Sequence, residues 1–244
     1  MMTADTMLRV CEVFGPTLQG EGPNLGEPAV FVRLYGCNLD CAWCDTPYTW
    51  DTKGKLGVVY KATDESRHMT LAEVRAAVLG LHAPLARPMV VITGGEPLVQ
   101  ASGLALLVRD LLDHGYRVEI ETNGTLRVPE PWLAGVAGLT FNVSPKLAHA
   151  RTKPIDVDRL GEWAKLPGAT LKFVAADPDD LDEVAQLLQQ LRTDWAIRPT
   201  IMPEGRSAAA IAECGRRLAP AVLARGWRMT TRLHVLLWGD ERGR

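Results

Sequence analysis

Short apolar, β-branched runs alternate with segments of helical periodicity along most of the chain. Ala29–Tyr35 (AVFVRLY) reads as a strand, followed by a polar, cysteine-bearing loop from Gly36 to about Gly57. A helix is predicted from Thr70, where Glu73 completes a capping-box pattern, to Leu81. Met89–Thr93 reads as a short buried strand ending in Gly94-Gly95, and Leu104–His114 carries an apolar stripe at helical spacing with Gly115 as its stop. The alternation continues through strands over Arg117–Thr122, Leu139–Ser144, Thr170–Ala175 and Ile197–Met202. Helices are predicted over Asp156–Leu166, Leu181–Arg192 and Ser207–Leu218, the last ended or kinked by Pro220, and the tail Thr231–Trp238 reads as extended.

Strands alternating with helices of this length imply βαβ crossovers and an α/β fold with an open, mainly parallel sheet. Six such units are too few for a closed eight-stranded barrel, so the expected architecture is a partial (β/α)6 barrel, although periodicity alone leaves a doubly wound sheet open. No repeat, low-complexity tract or linker divides the sequence. Its 244 residues fit one domain over 1–244, with the cysteine loop near 36–57 and a C-terminal extension near 226–244. A hydrophobic share of 47% and a charged share of 23% exclude a disordered or fibrous chain. With 27 basic and 29 acidic residues the net charge is −2, which gives no bulk field to recruit nucleic acid or a membrane surface. No apolar run reaches the ~20 residues of a membrane helix, and no signal-peptide pattern is present, so the sequence predicts a cytoplasmic protein.

Most polar or glycine signatures sit just after a predicted strand, which in parallel α/β folds is the active-site face. Among five cysteines, Cys37, Cys41 and Cys44 form a CxxxCxxC group, whereas Cys11 and Cys214 stand apart and read as ordinary buried thiols. Clustered thiolates are soft ligands that suit an iron–sulfur cluster or zinc. A structural zinc site normally has four ligands in two pairs, and this loop has three cysteines and no histidine. Three thiolates on a four-iron cluster would leave one iron open for a substrate or cofactor. Zinc, and three thiols packed as small hydrophobes, are the competing readings.

The CxxxCxxC group with Trp43 before its last cysteine, joined by Gly94-Gly95-Glu96-Pro97 at a strand end, resembles the signature of the radical S-adenosylmethionine (SAM) enzymes. That resemblance implies a [4Fe–4S] cluster on Cys37, Cys41 and Cys44, with SAM chelating the open iron and cleaved reductively to a 5′-deoxyadenosyl radical. It also implies a partial (β/α)6 barrel. Phe14–Gly22 (FGPTLQGEG), Phe31–Leu34 (FVRL), Cys44-Asp45-Thr46, Ser144-Pro145-Lys146 and Leu233–Gly239 (LHVLLWG) are together similar to the 7-carboxy-7-deazaguanine synthase family, over essentially the whole chain.

Membership of that family would imply a lyase that contracts 6-carboxy-5,6,7,8-tetrahydropterin to 7-carboxy-7-deazaguanine with loss of ammonia, a step of 7-deazapurine (queuosine-type) biosynthesis. SAM would be regenerated, and Mg2+ would support the rearrangement. Carried onto this sequence, the resemblance places Leu18, Gln19, Gly20 and Glu21 along the substrate's donor–acceptor edge. Arg33 falls on its carboxylate, with Thr93 and His234 as further contacts. Trp43, Cys44, Asp45, Gly94, Gly95, Glu96, Ser144, Pro145 and Lys146 fall around SAM, and Thr46 on magnesium. The residue types suit these roles: a guanidinium fork clamps a carboxylate, and magnesium takes hard oxygens with few from protein.

The partners implied are a small-molecule pterin, a flavodoxin- or ferredoxin-like electron donor and a second copy in a homodimer, with no nucleic acid and no membrane. Arg232 departs from the family, which more often has glutamine there; Glu121 and Asn123 share the active face without a role. Trp132, Trp163, Trp195 and Trp227 read as core or interface residues. The alternatives are another radical SAM enzyme, such as a glycyl-radical activase needing a protein partner, and a structural metal-binding module.

Overall fold

The computed structural model describes residues 6–81, 89–127, 135–191 and 197–244. Among them nine strands join in one sheet. They are β1 (Met7–Leu18), β2 (Pro28–Leu34), β3 (Arg67–Thr70), β4 (Met89–Gly94), β5 (Val118–Thr122), β6 (Leu139–Val143), β7 (Ala169–Ala175), β8 (Thr200–Pro203) and β9 (Arg228–Met229). Their order across the sheet is β3-β1-β2-β4-β5-β6-β7-β8-β9. From β2 onward every neighbouring pair is parallel, and β1 alone runs antiparallel to both of its neighbours. The parallel strands succeed one another in chain order with no reversal, which is the winding of a barrel and excludes the doubly wound alternative.

The helices are α1 (Ala62–Glu65), α2 (Leu71–Gly80), α3 (Ala101–Asp113), α4 (Val157–Ala164), α5 (Pro178–Gln190), α6 (Ala208–Ala224) and α7 (Leu233–Trp238). The expected capping box opens α2: Thr70 accepts from the Glu73 N–H while Glu73 accepts from the Thr70 N–H. A second one, Asp177 with Asp180, starts α5 three residues ahead of the predicted Leu181; the predicted end at Arg192 lies outside the described residues.

Strand alternation sorts the side chains onto two faces. Val30, Val32, Val90, Ile92, Val118, Ile120, Phe141 and Phe173 pack outward against the helices, where Leu104, Leu107 and Leu111 of α3 and Leu181 of α5 complete the main core. The opposite parity faces the interior. At its floor Phe31 and Val91 pack with Phe14, whose ring stacks on Phe31 at 5.0 Å. Further across the sheet the interior turns polar: Glu119 of β5 is in register with Val91, and Asn142 and Lys172 are buried on β6 and β7.

Four expectations need correction. β1 was not anticipated, because Gly15-Pro16 in its middle reads as a breaker; the ladder with β2 shifts register around that dipeptide, so proline sits at an irregularity where no ladder hydrogen bond is lost. The tail is helical from Leu233 to Trp238, with Val235 buried and Leu236 and Leu237 exposed, since an apolar run this short fits either period. Pro220 lies inside α6, whose stripe of Ile211, Cys214, Leu218 and Val222 continues past it, so packing outweighs one missing hydrogen bond. The short strands β3 and β9 were also not anticipated.

Trp163 is fully buried, meets Phe141 edge-on at 5.3 Å and donates its indole N–H to the Leu126 carbonyl at 3.0 Å. Trp227 is half-buried against the same core, and Trp132 and Trp195 lie outside the described residues. Trp163→Ala is expected to lower the unfolding free energy by about 3–5 kcal/mol. The measurement is urea denaturation, where a lower midpoint at constant m-value supports this assignment and an unchanged midpoint refutes it.

Candidate active site

The C-terminal ends of β2, β4, β5 and β6 and the cysteine loop surround a cavity of about 260 Å3. Cys37, Cys41 and Cys44 all line it with free thiols. Their loop is pinned from several sides. Gly36 exchanges backbone bonds with Thr49 and Glu96, the Ala42 N–H reaches the Ala150 carbonyl at 2.8 Å, and Asn38 bridges Thr125 and Asn123. The Asp51 carboxylate caps the far turn by accepting from the Lys55 and Leu56 N–H groups. Two donors address sulfur directly: the Leu39 N–H on Cys37 at 3.4 Å, and the Trp50 indole N–H on Cys44 at 3.3 Å. Burial pushes the Cys37 thiol up to about 12 and also raises Cys41.

Gly94 and Gly95 line the cavity at the end of β4. A Cβ on Gly94 would lie 2.3 Å from the Leu34 carbonyl oxygen, and one on Gly95 would lie 2.6 Å from Cys37 Cβ. Gly94 is therefore required by the close approach of β4 to the end of β2, and Gly95 by its approach to the cysteine loop. Glu96, predicted beside SAM, does not reach the cavity. Its side chain is fully buried beneath, accepting from the Leu98 N–H, the Thr122 hydroxyl and the Asn123 N–H. Burial raises its pKa to about 6 despite those donors. Pro145 likewise lies outside, against a much smaller pocket beside Lys153 and Asp156.

The remaining predicted residues converge. Leu18, Gln19, Gly20, Glu21, Arg33, Thr93, Trp43, Asp45, Thr46, Ser144, Lys146 and His234 all line the cavity. Arg33 is fixed across the strand pair by Glu12, which takes its Nε at 2.7 Å and also accepts from the Tyr48 hydroxyl. Gln19 is more constrained than expected: its Nε2 donates to Glu119 and Glu121, and its Oε1 accepts from the Glu21 N–H. Lys146 donates to Ser144 at 3.2 Å with its ammonium 5.4 Å above the Trp43 ring. Thr46 makes no capping bond at the turn it precedes, and its hydroxyl lies 3.8 Å from Cys44 Sγ.

Sequence reasoning missed a set of buried charges. Glu21 is paired with Lys172 of β7 and with Arg232, and Arg232 also pairs with Asp45. Burial works against the Glu21 charge, but Lys172 and then Arg232 outweigh it and hold the carboxyl well below the usual range. Burial similarly opposes Lys172 and Arg232, and their carboxylate partners raise both. His234 sits against Gly20, where a Cβ would lie 1.9 Å from its Nδ1, and burial lowers its pKa. The available signal was polar residues at alternate positions of central parallel strands (Glu119, Glu121, Asn142, Lys172), where strands covered on both faces are normally apolar throughout. Cys11 and Cys214 stay outside the cavity lining; Cys214 is buried and donates to the Ala175 carbonyl.

Residues 31–144 match the radical SAM superfamily. The chain is 39% identical to the 7-carboxy-7-deazaguanine synthase of Pyrobaculum aerophilum over 100% of both chains. It is 33% identical to that of Escherichia coli strain K12, over 91% of this chain and 94% of the relative. The crystal structure of QueE from Escherichia coli aligns with a TM-score of 0.71 at 30% identity, over 93% of this chain and 95% of that one. The chain belongs to the 7-carboxy-7-deazaguanine synthases.

It is therefore a radical SAM enzyme with a [4Fe–4S] cluster and SAM as cofactors, in a family that also depends on magnesium. The residues present fit those groups. No His, Cys, Asp or Glu trio among the described residues converges on one metal ion, which argues against mononuclear zinc. Three free thiols lining one cavity suit a cluster instead, where each thiolate takes its own iron. The buried Trp43 Nε1 has no hydrogen-bond partner and borders the same space, so a donor is available to a cofactor there.

Burial, and then the nearby Glu121 carboxylate, push Glu119 up to about 7 although Asn24 and Gln19 donate to it. A folded-state value above the ordinary 4.5 means that stability is full below that pH and is lost as pH rises through about 7. Glu119→Gln, which cannot ionise, is expected to lose less stability than wild type between about pH 5 and 8. Thermal midpoints across that range decide it, and parallel curves for the two proteins would refute the assignment.

Proposed function

We propose that this cavity contracts the ring of 6-carboxy-5,6,7,8-tetrahydropterin to 7-carboxy-7-deazaguanine with release of ammonia. The observation that carries this reading is the convergence of the FGPTLQGEG turn, Arg33, the three cysteines, Thr46 and His234 on one cavity, in a chain alignable end to end with a 7-carboxy-7-deazaguanine synthase. The conversion removes ammonia and no net electrons, so a hydrogen taken from the substrate can be returned at the end. When bound, the cluster and SAM would supply the radical chemistry that such a rearrangement needs.

The chain's own residues bind, orient and shield. Cys37, Cys41 and Cys44 hold the cluster, with the Leu39 and Trp50 N–H groups on sulfur tempering its charge. Trp43, Asp45, Gly94, Gly95, Ser144 and Lys146 border the SAM side, where Lys146 offers its ammonium to the SAM carboxylate. Glu96 and Pro145 support that wall from outside the cavity. Glu12 holds Arg33 by its Nε, and among the described residues no protein acceptor takes the two terminal nitrogens; that end of the fork receives the substrate carboxylate. Thr46 presents a hydroxyl to magnesium beside that carboxylate. Glu21 and the backbone of Leu18 and Gly20 face the amino–imino edge of the ring, while Thr93 and His234 close the substrate side.

The single sheet from Met7 to Met229 supports treating 1–244 as one catalytic domain. We further assign a cytoplasmic flavodoxin- or ferredoxin-like electron donor and a homodimeric state to this enzyme. Among the described residues no helix is long and apolar enough to cross a membrane.

Anaerobically reconstituted protein, given SAM, dithionite, magnesium and the tetrahydropterin, is expected to make 7-carboxy-7-deazaguanine in excess of SAM by mass spectrometry. 5′-Deoxyadenosine without deazaguanine would leave the radical chemistry standing and reject the substrate. Arg33→Lys, which keeps the charge and loses the fork, is expected to raise KM for the pterin about ten- to hundred-fold with the SAM Kd unchanged.

A further inference from the structure

Asn142 stands on the interior face of β6, in register with Glu121 of β5 and Thr170 of β7. It is fully buried and lines the active cavity. Neither its Oδ1 nor its Nδ2 has a hydrogen-bond partner. A carboxamide brings two donors and two lone pairs, and a buried one left unsatisfied is costly, so a fold that keeps it in a cavity wall is matched to something that enters the cavity. The backbone confines it there. Gly22, held at φ +71°, lies over the amide so closely that a Cβ would sit 2.4 Å from Nδ2. The QGEG turn thus covers the carboxamide from one side. Of the other carboxamides lining the cavity among the described residues, Gln19 is engaged by Glu119, Glu121 and the Glu21 N–H, and Asn123 by Asn38 and Thr125, which leaves Asn142 as the one available to a ligand.

We infer that Asn142 is a specificity-determining contact for the substrate ring, pairing its carboxamide with a lactam edge. Its NH2 donates to the ring carbonyl, and its carbonyl shares the adjacent ring N–H with the Glu21 carboxylate. The orientation of the amide is set by that edge, because no protein group fixes it. This inference rests on the ring-contraction reading, and it extends to the product, which keeps the same lactam. A site built to hydrogen-bond a ligand rejects analogues lacking the matching group far more strongly than a merely apolar pocket does.

The test uses Asn142→Ala and Asn142→Asp in cluster- and SAM-loaded enzyme, with Asn142→Ser should the alanine variant not fold. The pterin KM is expected to rise about ten- to hundred-fold in both, with 7-carboxy-7-deazaguanine binding weakened in parallel. The SAM Kd and the cluster's electron paramagnetic resonance signal should stay at wild-type values. The thermal midpoint of the substrate-free alanine variant should hold or rise, because removing an unsatisfied amide relieves the fold; a purely structural asparagine would give a fall. A wild-type KM in the alanine variant, or a lower midpoint with unchanged product binding, overturns the inference. Failure of the wild-type enzyme itself to turn over the pterin would reject the ring-contraction reading, and this contact with it.

Discussion

The Glu21 carboxylate joins parts of the chain that are remote in sequence. Lys172 reaches it from β7, Arg232 reaches it from the tail, and Arg232 in turn holds Asp45 beside Cys44. Four segments (the QGEG turn, the seventh strand, the cysteine loop and the approach to α7) are thereby fixed around one cavity by charge. In a largely buried setting such a pairing adds little net stability against an apolar replacement, whereas removing one partner leaves an uncompensated charge at about 3–5 kcal/mol. Its value lies in position. The same contacts place Gly20 against His234 and carry the Leu233 N–H to the Gly20 carbonyl at 2.8 Å, so the tail closes one side of the cavity.

A second consequence concerns the interior of the barrel. Parallel strands with helices outside would ordinarily be apolar on both faces. Here the helix-facing set is apolar and the inner set changes character across the sheet, from Phe31 and Val91 on β2 and β4 to Glu119, Asn142 and Lys172 on β5, β6 and β7. Close approach of the β4 end to Leu34 at Gly94 and to the start of the cysteine loop at Gly95 brings the thiols onto the cavity. Fold and chemistry are joined at a backbone contact in which no side chain fits.

The parallel strands β2, β4, β5, β6, β7 and β8 and the capping of α2 were legible because period and caps are local signals. The grouping of Cys37, Cys41 and Cys44 on one cavity was legible because their spacing is contiguous in sequence. β1 was not, since Gly15-Pro16 is locally a breaker and only the sheet reveals the register shift that accommodates it. The short tail helix was lost to a period too brief to resolve. Glu96 was placed in the cavity because GGEP was read as one unit, although its carboxylate turns beneath toward Thr122 and Asn123. Lys172 and Asn142 carried a signal of alternation within a parallel strand, which becomes meaningful only once a barrel interior is recognised as a face of its own.

An open barrel leaves two strand edges unpaired, and here they are β3, four residues long, and β9, only two. β3 begins with exposed Arg67 and His68, so its outer rim carries polar side chains beside a very short row of backbone groups. A neighbouring molecule meeting either rim finds too little ladder to extend. Both rims of the open barrel are thus too short to seed cross-molecular β-pairing, so an unclosed sheet carries little risk of edge-to-edge association.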